Sequence, residues 1–156
     1  MSQLIHIYTD GAASGNPGPG GYGLVMIFGQ HRKEFSEGFR LTTNNRMELL
    51  AVIKAFEFLT KKNLVVHLFS DSKYVVDAFL KNWISGWVAR DFKKVKNKDL
   101  WLRLIPLVNQ HQVSFIWVKG HSTNIENNRC DELAVAAYRN NSNLQIDEGY
   151  ESGLYN

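Results

Sequence analysis

Met47-Glu48-Leu49-Leu50-Ala51-Val52-Ile53-Lys54-Ala55-Phe56-Glu57-Phe58, followed after a short polar spacer by Leu64-Val65-Val66-His67-Leu68-Phe69, is the stretch that decides the fold class. Met47, Leu50, Ala51, Ala55 and Phe58 recur at helical spacing. Leu49, Val52, Ile53 and Phe56 fill a second face, so this helix is expected to be largely buried. The run at 64–69 is nearly continuous apolar residues, the pattern of a central strand covered on both sides. Upstream, residues 4–9, 22–28 and 33–39 read as strands of an antiparallel meander, with a turn-rich loop at 11–20. Downstream come a helix at 72–80, a Trp-rich basic segment and a helix at 100–108 despite Pro106, then a strand at 113–118 and a helix at 125–139. Strands that alternate with helices imply parallel crossovers. The expectation is an α/β fold: a five-stranded mixed sheet with helices on both faces, its first, fourth and fifth strands parallel. It spans 1–156 as one domain with an irregular acidic tail from about residue 140.

That topology makes a statement about chemistry. Asp10 is expected just past the first strand and Asp71 just past the fourth. Parallel neighbours about 4.8 Å apart bring both carboxylates out at one edge, where open α/β sheets bind ligands. Glu48, early in its helix, and Asp131, in the second turn of the last helix, reach the same edge. Each acid also has a plain structural reading. Asp10-Gly11 is a turn pair, Asn45 to Glu48 fits a capping box, Asp71 can cap the following helix, and Asp131 can be a surface acid. Taken together, four acids at one edge repel each other unless cations lie between them. Hard oxygen donors suit magnesium or manganese and not zinc. Two such ions about 3.5–4 Å apart can clamp the attacking and leaving oxygens of a phosphodiester.

Composition narrows the partners. With 44% apolar and 21% charged residues the 156-residue chain is no disordered tail. Its apolar runs, such as Leu24 to Phe28, are far short of the roughly 20 residues of a membrane span. Residues 1–8 lack a signal-peptide pattern, and a lone cysteine, Cys130, offers neither disulfide nor thiolate cluster. A cytoplasmic monomer without membrane contact is the expectation. The net charge of +3 says little, but residues 81–103 carry seven basic against two acidic groups beside Trp83, Trp87 and Trp101. Such a stripe, with Lys93, Lys94 and Lys96 at its centre, fits either a polyanion grip or a solvated face. Phe79, Trp83 and Trp87 have the spacing of one helix face.

Several long runs carry a family resemblance: Tyr8-Thr9-Asp10-Gly11, Gly15 to Gly23, Thr42-Thr43-Asn44-Asn45-Arg46-Met47-Glu48-Leu49, Asp71-Ser72, Trp117-Val118-Lys119-Gly120-His121, and Glu126 to Ala134. Over nearly its whole length the chain resembles the bacterial-type type 1 ribonuclease H family. The resemblance implies an endonuclease that hydrolyses the RNA strand of RNA–DNA hybrids by two-metal-ion catalysis, leaving 5′-phosphate and 3′-hydroxyl ends. It implies Asp10, Glu48, Asp71 and Asp131 as ligands of two Mg2+ ions (Mn2+ as substitute), with Asp10 bridging. His121 would accept or pass a proton, which an imidazole with an unperturbed pKa near 6.5 can do. Asn16, Asn44 and Asn45 would read the hybrid minor groove, Thr43 and Asn97 would hold a DNA phosphate, and Phe79, Trp83 and Trp87 would line a DNA channel beside Lys93, Lys94 and Lys96. The chain departs from the family at Lys73, where a Gln is common, and at Val88 and Ala89, where lysines often stand, in a shortened basic segment. A resolvase- or transposase-like nuclease, a hybrid-binding module without activity and a retroviral-type domain are the competing readings. The Thr-Thr-Asn-Asn-Arg-Met-Glu run and the basic Trp segment weigh against the first, and the presence of all four acids against the second.

Overall fold

The computed structural model describes residues 4–120, 123–139 and 142–155. Five strands form one mixed sheet in the order β3-β2-β1-β4-β5: β1 Leu4–Ala13, β2 Gly18–Phe28, β3 His31–Thr42, β4 Val65–Ser70 and β5 Gln112–Trp117. The first three pair antiparallel, and β1, β4 and β5 are parallel, as the alternation of strands and helices requires. The helices are α1 Asn44–Glu57, α2 Lys73–Leu80, α3 Trp83–Ala89, α4 Lys98–Asn109, α5 Ile125–Arg139 and a short α6 Glu148–Glu151. Among the described residues no helix is long and apolar enough to cross a membrane.

The core lies between the sheet and α1, α2 and α4, with Ile7, Leu24, Leu49, Val52, Ile53, Phe56, Leu68, Trp101 and Leu104 fully buried. Thr43 starts α1: its backbone is extended and its Oγ1 accepts the Arg46 N–H, which satisfies one orphan donor of the first turn. Ser72 does the same for α2, accepting from the Val75 N–H. On the opposite face α5 is laid across β1, β2 and β3. Consequently β4 is not covered on both sides: its residues alternate between buried and half-buried.

Several local expectations are corrected. The glycine-rich run at 11–20 is mostly strand, and the turn is confined to the residues between Ala13 and Gly18. The glycines serve packing: a Cβ on Gly23 would lie 2.4 Å from the Cys130 carbonyl oxygen, and one on Gly21 2.6 Å from that of Ala134. Only bare backbone lets α5 lie this close to β2. Asp10 is therefore inside β1, paired with Gly23, and not past its end. Phe79, Trp83 and Trp87 do not share a helix face either. The chain turns at Asn82, whose φ of 55° is left-handed, so Phe79 lies at the end of α2 and Trp83 begins α3. The tail is less irregular than its composition suggests: Gln145 bridges to Phe39, α6 follows, and Asp147 is buried.

Candidate active site

Asp10, Glu48 and Asp71 meet in a cleft also lined by Asn44, Asn45, Lys73 and Asp131. One carboxylate oxygen from each of Asp10, Glu48 and Asp71 lies within 4.8 Å of the others. Asp10 points to the α5 side of β1, and its Oδ1 accepts the Gly11 N–H at 2.9 Å. Gly11 points the other way and is what admits Glu48. A Cβ there would lie 2.5 Å from the Glu48 nitrogen and 2.6 Å from the Met47 carbonyl carbon, so any side chain would push α1 off the strand. Asp71 follows β4 directly. The Trp117 indole donates to its carbonyl at 3.0 Å, the Ser72 N–H to Ser70 Oγ at 3.0 Å, and Gly120 passes its carboxylate closely enough that a Cβ would sit 2.8 Å from Oδ2. The cap readings of Glu48 and Asp71 give way, because Thr43 and Ser72 hold those positions.

The electrostatics are those of a cation site. Asp10 and Glu48 are 5% and 9% exposed, yet each is an acid beside other acids. Burial, with Asp71 and Asp131 adding their charge, pushes the Asp10 carboxyl up to about 8. Burial, then Asp10 and Asp71, raises Glu48 well above the usual carboxylate range. Glu48 Oε1 is buried with no hydrogen-bond partner. A buried acceptor without a donor is costly, and a divalent cation with hard oxygen preference relieves both the orphaned oxygen and the repulsion. The residues present therefore fit a divalent cation. Asp131, half-buried on α5, lines the cleft but stands outside the tight group of three.

The other expected residues fall into three groups. Asn16, Asn44 and Asn45 come together at the cleft rim, with Asn16 Oδ1 accepting the Asn44 N–H at 3.0 Å. Lys93, Lys94 and Lys96 are exposed or nearly so in the segment after α3, and Trp83 is 41% exposed. Asn97 is buried, and Phe79 and Trp87 are half-buried, packed against other rings. Phe79 stacks on Phe115 with centroids 4.1 Å apart, and Trp87 stands edge-on to Trp101 at 4.9 Å. Asn97 is buried; its Oδ1 accepts from Arg46 Nη1 at 3.3 Å, and its amide nitrogen donates to the Tyr74 hydroxyl at 3.0 Å. Lys73 places its ammonium 4.8 Å from the Trp117 ring centroid. His121 lies outside the described residues.

Sequence reasoning missed Arg46. Its side chain is 1% exposed and clamps two acids, Asp147 through Nε at 2.8 Å and Asp99 through Nη2 at 2.7 Å. Thr42 Oγ1 also donates to Asp147 at 2.7 Å. The clamp ties the tail and α4 to the start of α1, next to Asn45 and two residues from Glu48. A signal was present: Arg46, Leu50 and Ile53 share helical spacing, so the cation falls on a buried stripe and needs buried acids.

Fold and site together define an α/β domain with a carboxylate cation site at the end of its parallel strands. The RNase H family model matches residues 2–139. A ribonuclease H from Rippkaea orientalis is 54% identical over 153 residues, covering 95% of this chain and 93% of that one. Ribonuclease HI from Synechocystis sp. is 50% identical, covering 94% of each chain. Among solved structures, LC9-RNase H1, described as a type 1 RNase H, superposes with a TM-score of 0.81 at 30% identity, covering 100% of this chain and 82% of that one. LC11-RNase H1, solved in complex with RNA/DNA hybrid, gives 0.64 at 28% identity, covering 86% of this chain and 96% of that one. The chain belongs to the RNase H family. Within it, the chain is of the bacterial type 1 kind and is a ribonuclease H enzyme.

Proposed function

We propose that this enzyme cuts the RNA strand of an RNA–DNA hybrid by hydrolysis assisted by two Mg2+ ions. The observation that carries the reading is the buried group of Asp10, Glu48 and Asp71 at the mouth of a cleft whose rim holds Asn44 and Asn45. Divalent ions bound there would acidify water and neutralise charge building on the phosphate. Asp10, central in the repulsion with both Asp71 and Asp131, would be the ligand the ions share. Glu48 would offer its orphaned Oε1, and Asp131 lines the same cleft.

Hydrolysis forms a bond from the water oxygen to phosphorus and breaks the bond to the 3′ oxygen, leaving 5′-phosphate and 3′-hydroxyl ends. The attacking water sheds a proton and the leaving oxygen gains one. His121 is assigned that transfer on the family resemblance. Asn16, Asn44 and Asn45 offer amide groups to 2′-hydroxyls and base edges in the minor groove, the feature that separates RNA from DNA. Exposed Trp83 offers a ring to the DNA sugars, and Lys93, Lys94 and Lys96 offer charge to phosphates. Phe79 and Trp87, packed on Phe115 and Trp101, act as the base of that segment. Thr43 and Asn97 are assigned the DNA-phosphate contact on the family resemblance.

The experiment compares hybrid, duplex DNA and duplex RNA, each end-labelled, with and without Mg2+. Cleavage confined to the RNA strand of the hybrid, dependent on Mg2+ and leaving 5′-phosphates, is expected. Equal cutting of duplex DNA would favour a resolvase-like nuclease. Binding without cutting would favour a hybrid-binding module.

A further inference from the structure

The carboxylate cleft occupies one end of the two central strands. Further back on the same face lies a pair of imidazoles. His6 of β1 and His67 of β4 are direct partners in the parallel ladder. Their rings are stacked, with centroids 5.7 Å apart and planes 11° from parallel. Alternation along a strand puts them on the face of Tyr8 and Phe69, then Asp10 and Asp71. Tyr8 and Phe69 stack at 4.6 Å, and Phe69 stands edge-on to both histidines, at 5.8 Å from His6 and 6.4 Å from His67. Phe69 thus contacts both rings.

This face is only partly roofed. α5 crosses β1, β2 and β3. His6 and His67 are half-buried, and Ser114, the β5 partner of His67, is exposed. One row therefore reads Ile27, His6, His67, Ser114 across four strands. Where the row meets β2, packing is served by an isoleucine. Where it opens to solvent, two nitrogen donors and a hydroxyl stand in line.

We propose that His6 and His67 together bind a borderline transition-metal cation, Cu2+, Ni2+ or Zn2+, at a site separate from the carboxylate cleft. Imidazole nitrogen is the donor these ions prefer, while the oxygen-only cleft selects hard ions. Metal–nitrogen bonds of about 2.0–2.1 Å require two nitrogens on facing edges of neighbouring rings. Centroids 5.7 Å apart allow this once each ring turns one nitrogen toward the other, a rotation that leaves the backbone in place. Water completes the coordination from the open side. The bound ion cross-links β1 to β4 without touching Asp10, Glu48 or Asp71.

The test titrates Ni2+ calorimetrically into the wild-type protein, His6→Gln and His67→Gln, all with saturating Mg2+, and records the Cu2+ electron paramagnetic resonance spectrum of each. One Ni2+ bound by the wild type, and binding about tenfold or more weaker in each variant, is expected. The wild-type Cu2+ spectrum shows coupling to two nitrogens, and each variant loses it. Mg2+-dependent cleavage is unchanged in both variants. No Ni2+ binding by the wild type, or a Cu2+ spectrum without two nitrogens, overturns the proposal even if a variant misfolds. Wild-type affinity retained by both folded variants also overturns it and places the ion on other histidines.

Discussion

Asp10→Asn is expected to abolish hybrid cleavage and, without divalent cations, to make the protein more stable. Asp10 is held at about 8, against 3.8 for an unperturbed aspartate, by burial and by Asp71 and Asp131. The sign is set by proton linkage. An acid whose folded pKa is raised contributes stability that is full below its unfolded pKa and is lost as pH rises through the folded value. Wild-type stability should therefore decline from about pH 4 to about pH 8, whereas an amide cannot ionise. A tenfold change in proton affinity is worth about 1.4 kcal/mol, so the rise sets a ceiling of about 6 kcal/mol above pH 8. Glu48 and Asp71 share that repulsion, which brings the expected gain at pH 9 to about 2–4 kcal/mol. A domain of this size gains about 3 °C in Tm per kcal/mol. The assay is thermal unfolding by circular dichroism at pH 4, 7 and 9 in EDTA, repeated with Mg2+. The gain should be near zero at pH 4, largest at pH 9, and diminished by Mg2+, which stabilises the native acids by binding them. Equal melting of the two proteins at pH 9 in EDTA would refute the repulsion argument, and cleavage by folded Asp10→Asn would refute the cation site.

Three further outcomes rest on the geometry. Arg46→Ala leaves Asp147 and Asp99 without their buried partner and should cost about 3–5 kcal/mol in urea unfolding, while Asp147→Asn should retain part of the clamp and cost less. Gly11→Ala sets a methyl against the α1 backbone; overpacking of this kind costs about 1–3 kcal/mol, and by displacing Glu48 it should lower kcat at saturating Mg2+ even where the protein is fully folded. Changing Lys93, Lys94 and Lys96 together to alanine should weaken hybrid binding and flatten its salt dependence, by up to about 0.9 in log–log slope for each phosphate no longer neutralised. Turnover at saturating hybrid should hold near wild type, and an unchanged slope would make these lysines a solvated face.

What the sequence determined by itself was local or repeated often enough to be read in one dimension. The apolar periodicity of 47–58 and 64–69 specified a buried helix and its strand, and α5 was legible from end to end. Alternating elements then implied parallel pairing of β1, β4 and β5, which brought Asp10, Glu48 and Asp71 to one edge. Tertiary structure decided whatever depended on separations of a few ångströms between distant segments. Glycine at 11 and 21 reads as a turn residue by propensity but works as missing bulk, as does Gly23 within its strand, because only the docked α1 and α5 show what a Cβ would strike. The rings of Phe79 and Trp87 face inward because the chain turns at Asn82 and Trp101 offers a surface beneath them, a break that spacing alone does not reveal. Asp131 stands apart from the tight trio on α5, which crosses β1, β2 and β3, and its setting is a matter of helix docking. Arg46 shows the division most clearly. Helical spacing puts a cation on a buried stripe, but only the folded chain brings Asp99 and Asp147 from far along the sequence to hold it, since a charge leaves water only where its partners are already waiting.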